Sequence, residues 1–214
     1  MKKVCKLFSL LILLTIFMAC NNDDDSTDLI AVASSTATNI PAPQTGGTGQ
    51  GDESGAFTKF SFATGTVTDS DTEWDIAFRG LSIAINGGTA IGVTDEPVRN
   101  GNAGAAMVKG TFGEVTDAAD LAFVQDSENG FAIPRVNGEG WYNYDFSTFT
   151  VTPVPGRILV FRTHDGKFAK VEVLSYYRDA PSEITPQIAA SDFRFYTFNY
   201  VYNPNEGETD LTAP

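Results

Sequence analysis

The run Thr72-Glu73-Trp74-Asp75-Ile76-Ala77-Phe78-Arg79-Gly80 constrains the fold more than any other stretch of the chain. Trp74, Ile76 and Phe78 alternate with Asp75, Ala77 and Arg79, the period of an extended strand with one face toward a core. Past Gly80 the parity flips, and Leu81, Ile83 and Ile85 become the apolar set. A glycine at the flip predicts a bulge or sharp bend. Asn86-Gly87-Gly88 reads as a turn, because Asn and Gly tolerate positive φ. The unit is expected to form the hairpin-like centre of a β-domain.

Strand patterns recur on both sides of it. Phe57 to Phe62 is a strand candidate that opens the folded domain, and Thr66 to Thr68 continues it or starts the next. Ala105 to Val108 predicts a short strand, and Glu114 to Phe123 at most one or two helical turns. Gly140 to Pro153 is dense in aromatic and β-branched residues and reads as one strand, or two broken near Asp145. Arg157 to Arg162, Lys167 to Tyr177 and Asp192 to Tyr202 close the domain, the first two joined by a turn at Thr163-His164-Asp165-Gly166. The expected fold class is all-β, a single mostly antiparallel β-domain with little helix.

The N-terminus is not fold. Lys2, Lys3 and Lys6 precede an uncharged, mostly apolar run from Leu7 to Met18, closed by Ala19-Cys20. That is the pattern of a signal peptide over residues 1–19, too short to span a bilayer. A cysteine at this point has the form of a lipobox, with Cys20 as the lipidated first residue. Residues 20–55 are rich in Asp, Ser, Thr, Gly and Pro and hold no aromatic side chain, so they are expected to be a flexible tether. Asp23-Asp24-Asp25 resembles the acidic signal of lipoproteins exported to the outer surface, which makes an outer-membrane, surface-exposed lipoprotein the expected location. Residues 56–203 would be the folded domain and 204–214 a loose acidic tail.

The formal net charge of the chain is −13, and removal of the leader lysines makes it more acidic. Binding to nucleic acid or to an anionic lipid surface through charge is excluded, so membrane attachment would come through the lipid anchor alone. The two cysteines, Cys5 and Cys20, lie in the leader and at the anchor. The domain therefore has no disulfide or thiol site and must hold together by core burial.

Trp74-Asp75-Ile76-Ala77-Phe78-Arg79-Gly80 with its Asn-Gly-Gly turn resembles the HmuY-like haem-binding lipoproteins of Gram-negative bacteria. Gly140-Trp141 is similar to that family's mid-domain Gly-Trp. Val160 to Val171, with its Asp165-Gly166 turn and Ala169-Lys170, and Phe195 to Tyr200 resemble its later strands, in the same order. The resemblance implies an all-β surface lipoprotein, a haemophore, that captures haem and passes it to an outer-membrane import receptor without catalysis. It also implies iron ligands from two loops flanking the Gly-Trp segment, here approximately 121–136 and 144–153. Neither loop contains histidine or methionine.

The side chains that can meet haem are few. His164 is the single histidine, so ligation by two histidines of one chain is excluded; beside Asp-Gly it reads first as a solvated turn residue. Met107 offers a thioether, and Tyr142 and Tyr144 offer phenolates; core filling and strand packing are the plain readings of all three. Arg135 and Arg157 flank the aromatic run and are candidates to pair with propionates. Asp69, Asp71, Glu73 and Asp75 alternate, but the glycine and closing glutamate of a calcium loop are missing, so no metal site is expected. A catalytic triad would need His164 as its base, and no phosphate loop is present, so no enzyme is expected. Two other readings stay open: a protein-interaction or structural surface lipoprotein that binds no haem, and a carbohydrate-binding β-domain in which exposed Trp141 and Tyr142 stack on sugar.

Overall fold

The computed structural model describes residues 29–47 and 49–212. The leader and Cys20 lie outside the described residues. Antiparallel strands dominate, as the alternation requires. A five-stranded sheet runs β1 (Ala33–Pro41), β11 (Phe193–Asn203), β10 (Phe168–Tyr177), β9 (Arg157–Arg162) and β6 (Gly104–Lys109) from edge to edge. A four-stranded sheet runs β3 (Thr66–Val67), β2 (Thr58–Ser61), β4 (Ile76–Arg79) and β5 (Ser82–Ile85). A separate hairpin pairs β7 (Tyr142–Asp145) with β8 (Thr150–Pro153). The single helix among the described residues is α1 (Pro186–Ser191), capped by the Thr185 side chain and begun by Pro186.

The main core lies between the two larger sheets. Ala169, Val171 and Val173 of β10 and Tyr196, Phe198 and Tyr200 of β11 face Phe60, Ile76, Phe78 and Ile83. Aromatic rings carry much of the contact: Phe60 meets Phe198 at 5.3 Å between ring centres, and Phe78 meets Tyr196 at 4.5 Å. Offset and edge-on aromatic pairs contribute beyond the area they bury. Both outer faces are also covered. Val160 and Val201 pack under Val115, Ala118 and Leu211, and Ala77 and Ala84 pack with Phe57 and Trp74.

The central unit is a hairpin, but its details differ from the sequence reading. Arg79 pairs with Ser82, so Gly80-Leu81 is a two-residue turn. Gly80 sits at φ +51°, a conformation that favours glycine, and a Cβ there would displace the Gln44 side-chain amide. Trp74 does not share a face with Ile76 and Phe78. The chain bends at Asp75, before the strand starts, and the indole joins Ala77 on the outer side of the sheet. Asn86 is not an exposed turn residue. Its amide donates to the Thr72 and Trp74 carbonyls (3.0 and 2.9 Å) and accepts from Asn100 and Gly101 N–H (2.8 and 3.0 Å). All four hydrogen-bonding positions of that side chain are used.

Residues 33–41 and 204–212 are more ordered than their composition predicts. The expected tether contains β1, which pairs antiparallel with β11 from Ala33↔Tyr202 to Pro41↔Phe195. An edge strand is held chiefly by main-chain bonds to its neighbour, so it needs few apolar side chains; Ala37 and Ile40 are enough here. The expected loose tail is pinned as well. Leu211 is fully buried, its N–H donates to the Thr116 carbonyl (2.8 Å), and Asn203 Nδ2 donates to the Asp210 carbonyl (2.8 Å).

His164 is not solvated. Its Nδ1 lies 2.7 Å from Asp75 Oδ1, its own N–H donates to the same oxygen at 3.1 Å, and its side chain is 14% exposed. The contact ties the β9–β10 turn to the start of β4, and so one sheet to the other. The Asp75 hydrogen bond raises the His164 pKa above its ordinary value, against a desolvation that acts the other way. A raised histidine pKa contributes stability that is complete below the unfolded value, near 6.5, and is lost as pH rises through the folded one. His164→Gln is therefore expected to cost more stability at about pH 5 than at about pH 9. Urea denaturation of both proteins at both pH values checks this, and an equal loss at the two would contradict it.

Candidate functional site

The β7–β8 hairpin stands off the sandwich beside the β4–β5 turn, and two adjoining hollows open along it. The first has a volume of about 270 Å³ and lies among Leu81, Tyr144, Val151, Tyr177 and Phe193, with Arg135 and Arg194 at its polar side. The second, about 420 Å³, lies among Leu81, Asn137, Tyr142, Tyr144 and Phe146. Leu81 and Tyr144 belong to both. The second wall is mostly apolar and the first mixes apolar and polar groups; concave walls with a few placed polar groups are the form that small-molecule sites take.

The hairpin owes its position to the Trp141 and Asn137 anchors. Trp141 is buried against Tyr176 and Tyr196, with Nε1 donating to the Leu81 carbonyl at 2.9 Å. Asn137 brackets the Tyr144 backbone, accepting its N–H at 2.8 Å and donating to its carbonyl at 3.1 Å. Val151 N–H donates to the Tyr177 hydroxyl at 2.8 Å. On this fixed base the loop between the strands carries two aromatic rings into solvent: Phe146 is 74% exposed and Phe149 is 69% exposed. Phe149 also has φ +58°, a conformation that a bulky residue adopts only at a cost.

The candidates of the sequence separate into groups. Tyr144 and Arg135 line the same hollow, and Tyr142 lies beside Tyr144 in the second. Tyr142 is nearly buried, and desolvation raises its pKa, which disfavours a phenolate. Met107 and Arg157 line neither hollow. They meet each other, with Arg157 Nη1 3.6 Å from the Met107 sulfur, and the guanidinium also donates to the Glu139 carbonyl at 2.6 Å. His164 belongs to the Asp75 contact instead. Asp75, His164 and Asp165 bring ligand atoms within 4.8 Å of one another. Asp75 Oδ2 already accepts from Phe62 N–H at 2.8 Å, and Asp165 Oδ2 accepts from the Lys167 ammonium at 2.7 Å. The charge of that cluster is met from within the chain. Trp141 and Tyr142, expected to be exposed for sugar stacking, are both buried, because the first packs into the core and the second lies against it.

Sequence reasoning missed Gln44, Phe193, Arg194 and Glu53. Glu53 and Gln44 fall in the expected tether. Arg194 carried a signal: it shares parity with Tyr196, Phe198 and Tyr200, an arginine on the inward aromatic face. A bulge near the start of β11, with Arg194 at φ +71°, delivers it to the hollow, where its guanidinium donates to the Gln44 carbonyl.

The fold is an antiparallel β-sandwich with a lateral hollow. A family model described as HmuY protein matches residues 54–189, more than half of the chain. The chain belongs to the HmuY family. The match leaves out β1 and β11, which the structure places side by side. Among solved structures, an apo HmuY analogue of Tannerella forsythia is similar at 12% identity and a TM-score of 0.49, over 83% of this chain and 100% of that one. A protein of Bacteroides vulgatus described as HmuY-like and haem-binding is similar at 17% identity and a TM-score of 0.47, over 80% of this chain and 93% of that one. A candidate lipoprotein of Bacteroides fragilis is similar at 14% identity and a TM-score of 0.44, over 83% and 94%. No curated protein sequence matches the chain.

Proposed function

We propose that this protein captures a flat apolar ligand of the haem class at the β7–β8 hairpin and passes it on without catalysis. The observation that carries the reading is Phe149, a large ring held in solvent and in the left-handed region at the mouth of a hollow that joins apolar side chains to two arginines. Exposed apolar surface and local strain both cost stability, and both concentrate where a ligand is gripped.

The residues present fit haem in a particular way. Leu81, Val151, Phe146 and Phe149 offer apolar walls to a porphyrin face, and Arg135 and Arg194 offer guanidinium groups to propionates. The group would supply an iron that takes axial ligands, and Tyr144, which lines both hollows, is the candidate to act as one. Haem titrated into the purified protein is expected to give a visible band, weaker in affinity than ligation by two histidines would give. Tyr144→Phe should reduce that affinity by about tenfold and alter the band, whereas His164→Ala should not. Loss of the haem spectrum in His164→Ala alone would overturn this site, and no spectral change in the parent would favour an interaction module.

The same reading places the protein on the outer membrane, anchored through Cys20, with an import receptor as the partner that takes the ligand. The lipobox-like leader and the family support it. The full-length protein is expected in the membrane fraction and accessible to protease on whole cells. Recovery in the soluble periplasmic fraction would remove the anchor from this account.

A further inference from the structure

The mouth of the first hollow carries a charge opposite to that of the chain. The protein has 27 acidic and 14 basic side chains, yet Arg135 and Arg194 both face this hollow. Arg79, fully buried, lies close enough that all three guanidinium groups lower the pKa of one carboxylate, Glu53, the Arg135 bond most strongly. Asp95 and Glu96 act on Arg79 with the opposite sign. Glu53 meets Arg135 fork to fork: Nη1 donates to Oε2 at 2.5 Å and Nη2 to Oε1 at 2.6 Å. This is the geometry in which arginine recognises a carboxylate from any source. Glu53 comes from the loop closed by the Thr45↔Ser54 bridge, outside the two sheets, and both partners keep about a third of their side-chain surface exposed. The fork is reachable from solvent, so a ligand carboxylate that displaces Glu53 exchanges one bidentate pair for another of the same kind. Beside it, Tyr176 is buried and its pKa is pushed far up by desolvation, so it stays a neutral phenol with a proton to donate.

We propose that the hollow selects amphipathic carboxylates, and that Glu53 occupies the Arg135 fork as an internal stand-in until the ligand's own carboxylate replaces it. Arg135 and Arg194 read the acidic end, while Leu81, Phe149, Val151 and Phe193 take the apolar body. The inference rests on the hollow being the binding site and adds to it a requirement for a free acid, which haem meets through its propionates and which other apolar acids meet equally.

The test uses two pairs of fluorescent probes, so that iron plays no part. One pair is metal-free protoporphyrin and its dimethyl ester; the other is a dansylated undecanoic acid and its methyl ester. The parent is expected to bind each acid about tenfold more tightly than its ester. Arg135→Gln should reduce that preference several-fold, and Arg135→Gln combined with Arg194→Gln should abolish it. Glu53→Gln, which leaves the fork without its stand-in, should tighten the acids several-fold and leave the esters unchanged. Acid and ester binding with equal affinity to the parent would overturn the carboxylate requirement alone and leave the hollow as a site. Acids bound no more tightly by Glu53→Gln than by the parent would overturn the stand-in role. No binding of any probe would overturn the inference together with the site it rests on.

Discussion

Replacing Trp74 with alanine is expected to remove about 3–5 kcal/mol of stability, the cost of emptying an aromatic site in a core. The indole is fully buried between the four-stranded sheet and the segments that cover it, packed with Phe57, Ala77 and Ala84. Nε1 donates to the Asp71 carbonyl at 3.2 Å, and the Trp74 carbonyl accepts from Asn86 Nδ2 at 2.9 Å. The ring thus holds the turn that precedes β4, and that turn places Asp75 against His164. Trp74→Phe separates the two contributions, since it keeps most of the apolar volume and loses only the Nε1 bond. It should cost a fraction of the alanine effect. Urea denaturation gives both numbers, and a loss below about 1 kcal/mol for alanine would show the outer cluster to be peripheral.

The strands were legible because each has a covered face. β6, β9, β10 and β11 all lie where apolar alternation predicts, within a residue or two at their ends. The β7–β8 hairpin was legible as an aromatic run broken near Asp145. Residues 33–41 were not legible, because an edge strand of Ala, Ser and Thr draws its stability from the β11 backbone, and side-chain pattern does not record main-chain pairing. Trp74 was assigned to the wrong face because period two was extended past the point where the strand begins. Alternation says nothing of a bend at Asp75 that is imposed by partners far along the chain, Phe62 N–H and His164.

The candidate site was legible in its walls and less so in its charges. Tyr144 was found as a phenolate near the Gly-Trp segment and Arg135 as a cation flanking the aromatic run, and both line the hollow. Arg157, chosen as the other flanking cation, and Met107, chosen as the one methionine after the leader, meet each other instead. Proximity to an aromatic run in sequence does not separate residues on β9 from those that pack beneath the hairpin. Glu53 was hidden in a segment whose composition reads as solvent-exposed coil, and its bond to Arg135 spans 82 positions of sequence.

Asp126→Ala should cost about as much as Trp74→Ala, on the order of 3–5 kcal/mol, for a different reason. The carboxylate is almost wholly buried and accepts from four donors. Oδ1 takes Ala132 N–H at 2.7 Å; Oδ2 takes Ile85 N–H at 3.0 Å and Arg99 Nε and Nη2 at 3.2 and 2.8 Å. Arg99 is as buried as its partner and also meets Glu96 at 2.6 Å. Alanine would leave two main-chain N–H groups without acceptors and the Arg99 guanidinium with one carboxylate where it had two. A buried charge that loses its partner is more costly than a pair that was never built. Asp126→Asn, which keeps an acceptor oxygen for the main-chain N–H groups and loses the charge, should therefore cost less than alanine, and an asparagine variant no better than Asp126→Ala would assign the cost to the Arg99 pair. The position matters to the site because Asp126 joins β5 to the segment that leads, nine residues on, to Arg135. Loosening it should weaken ligand capture by acids more than by their esters, since the apolar walls at Leu81 and Val151 are held by Trp141 and Tyr177 instead.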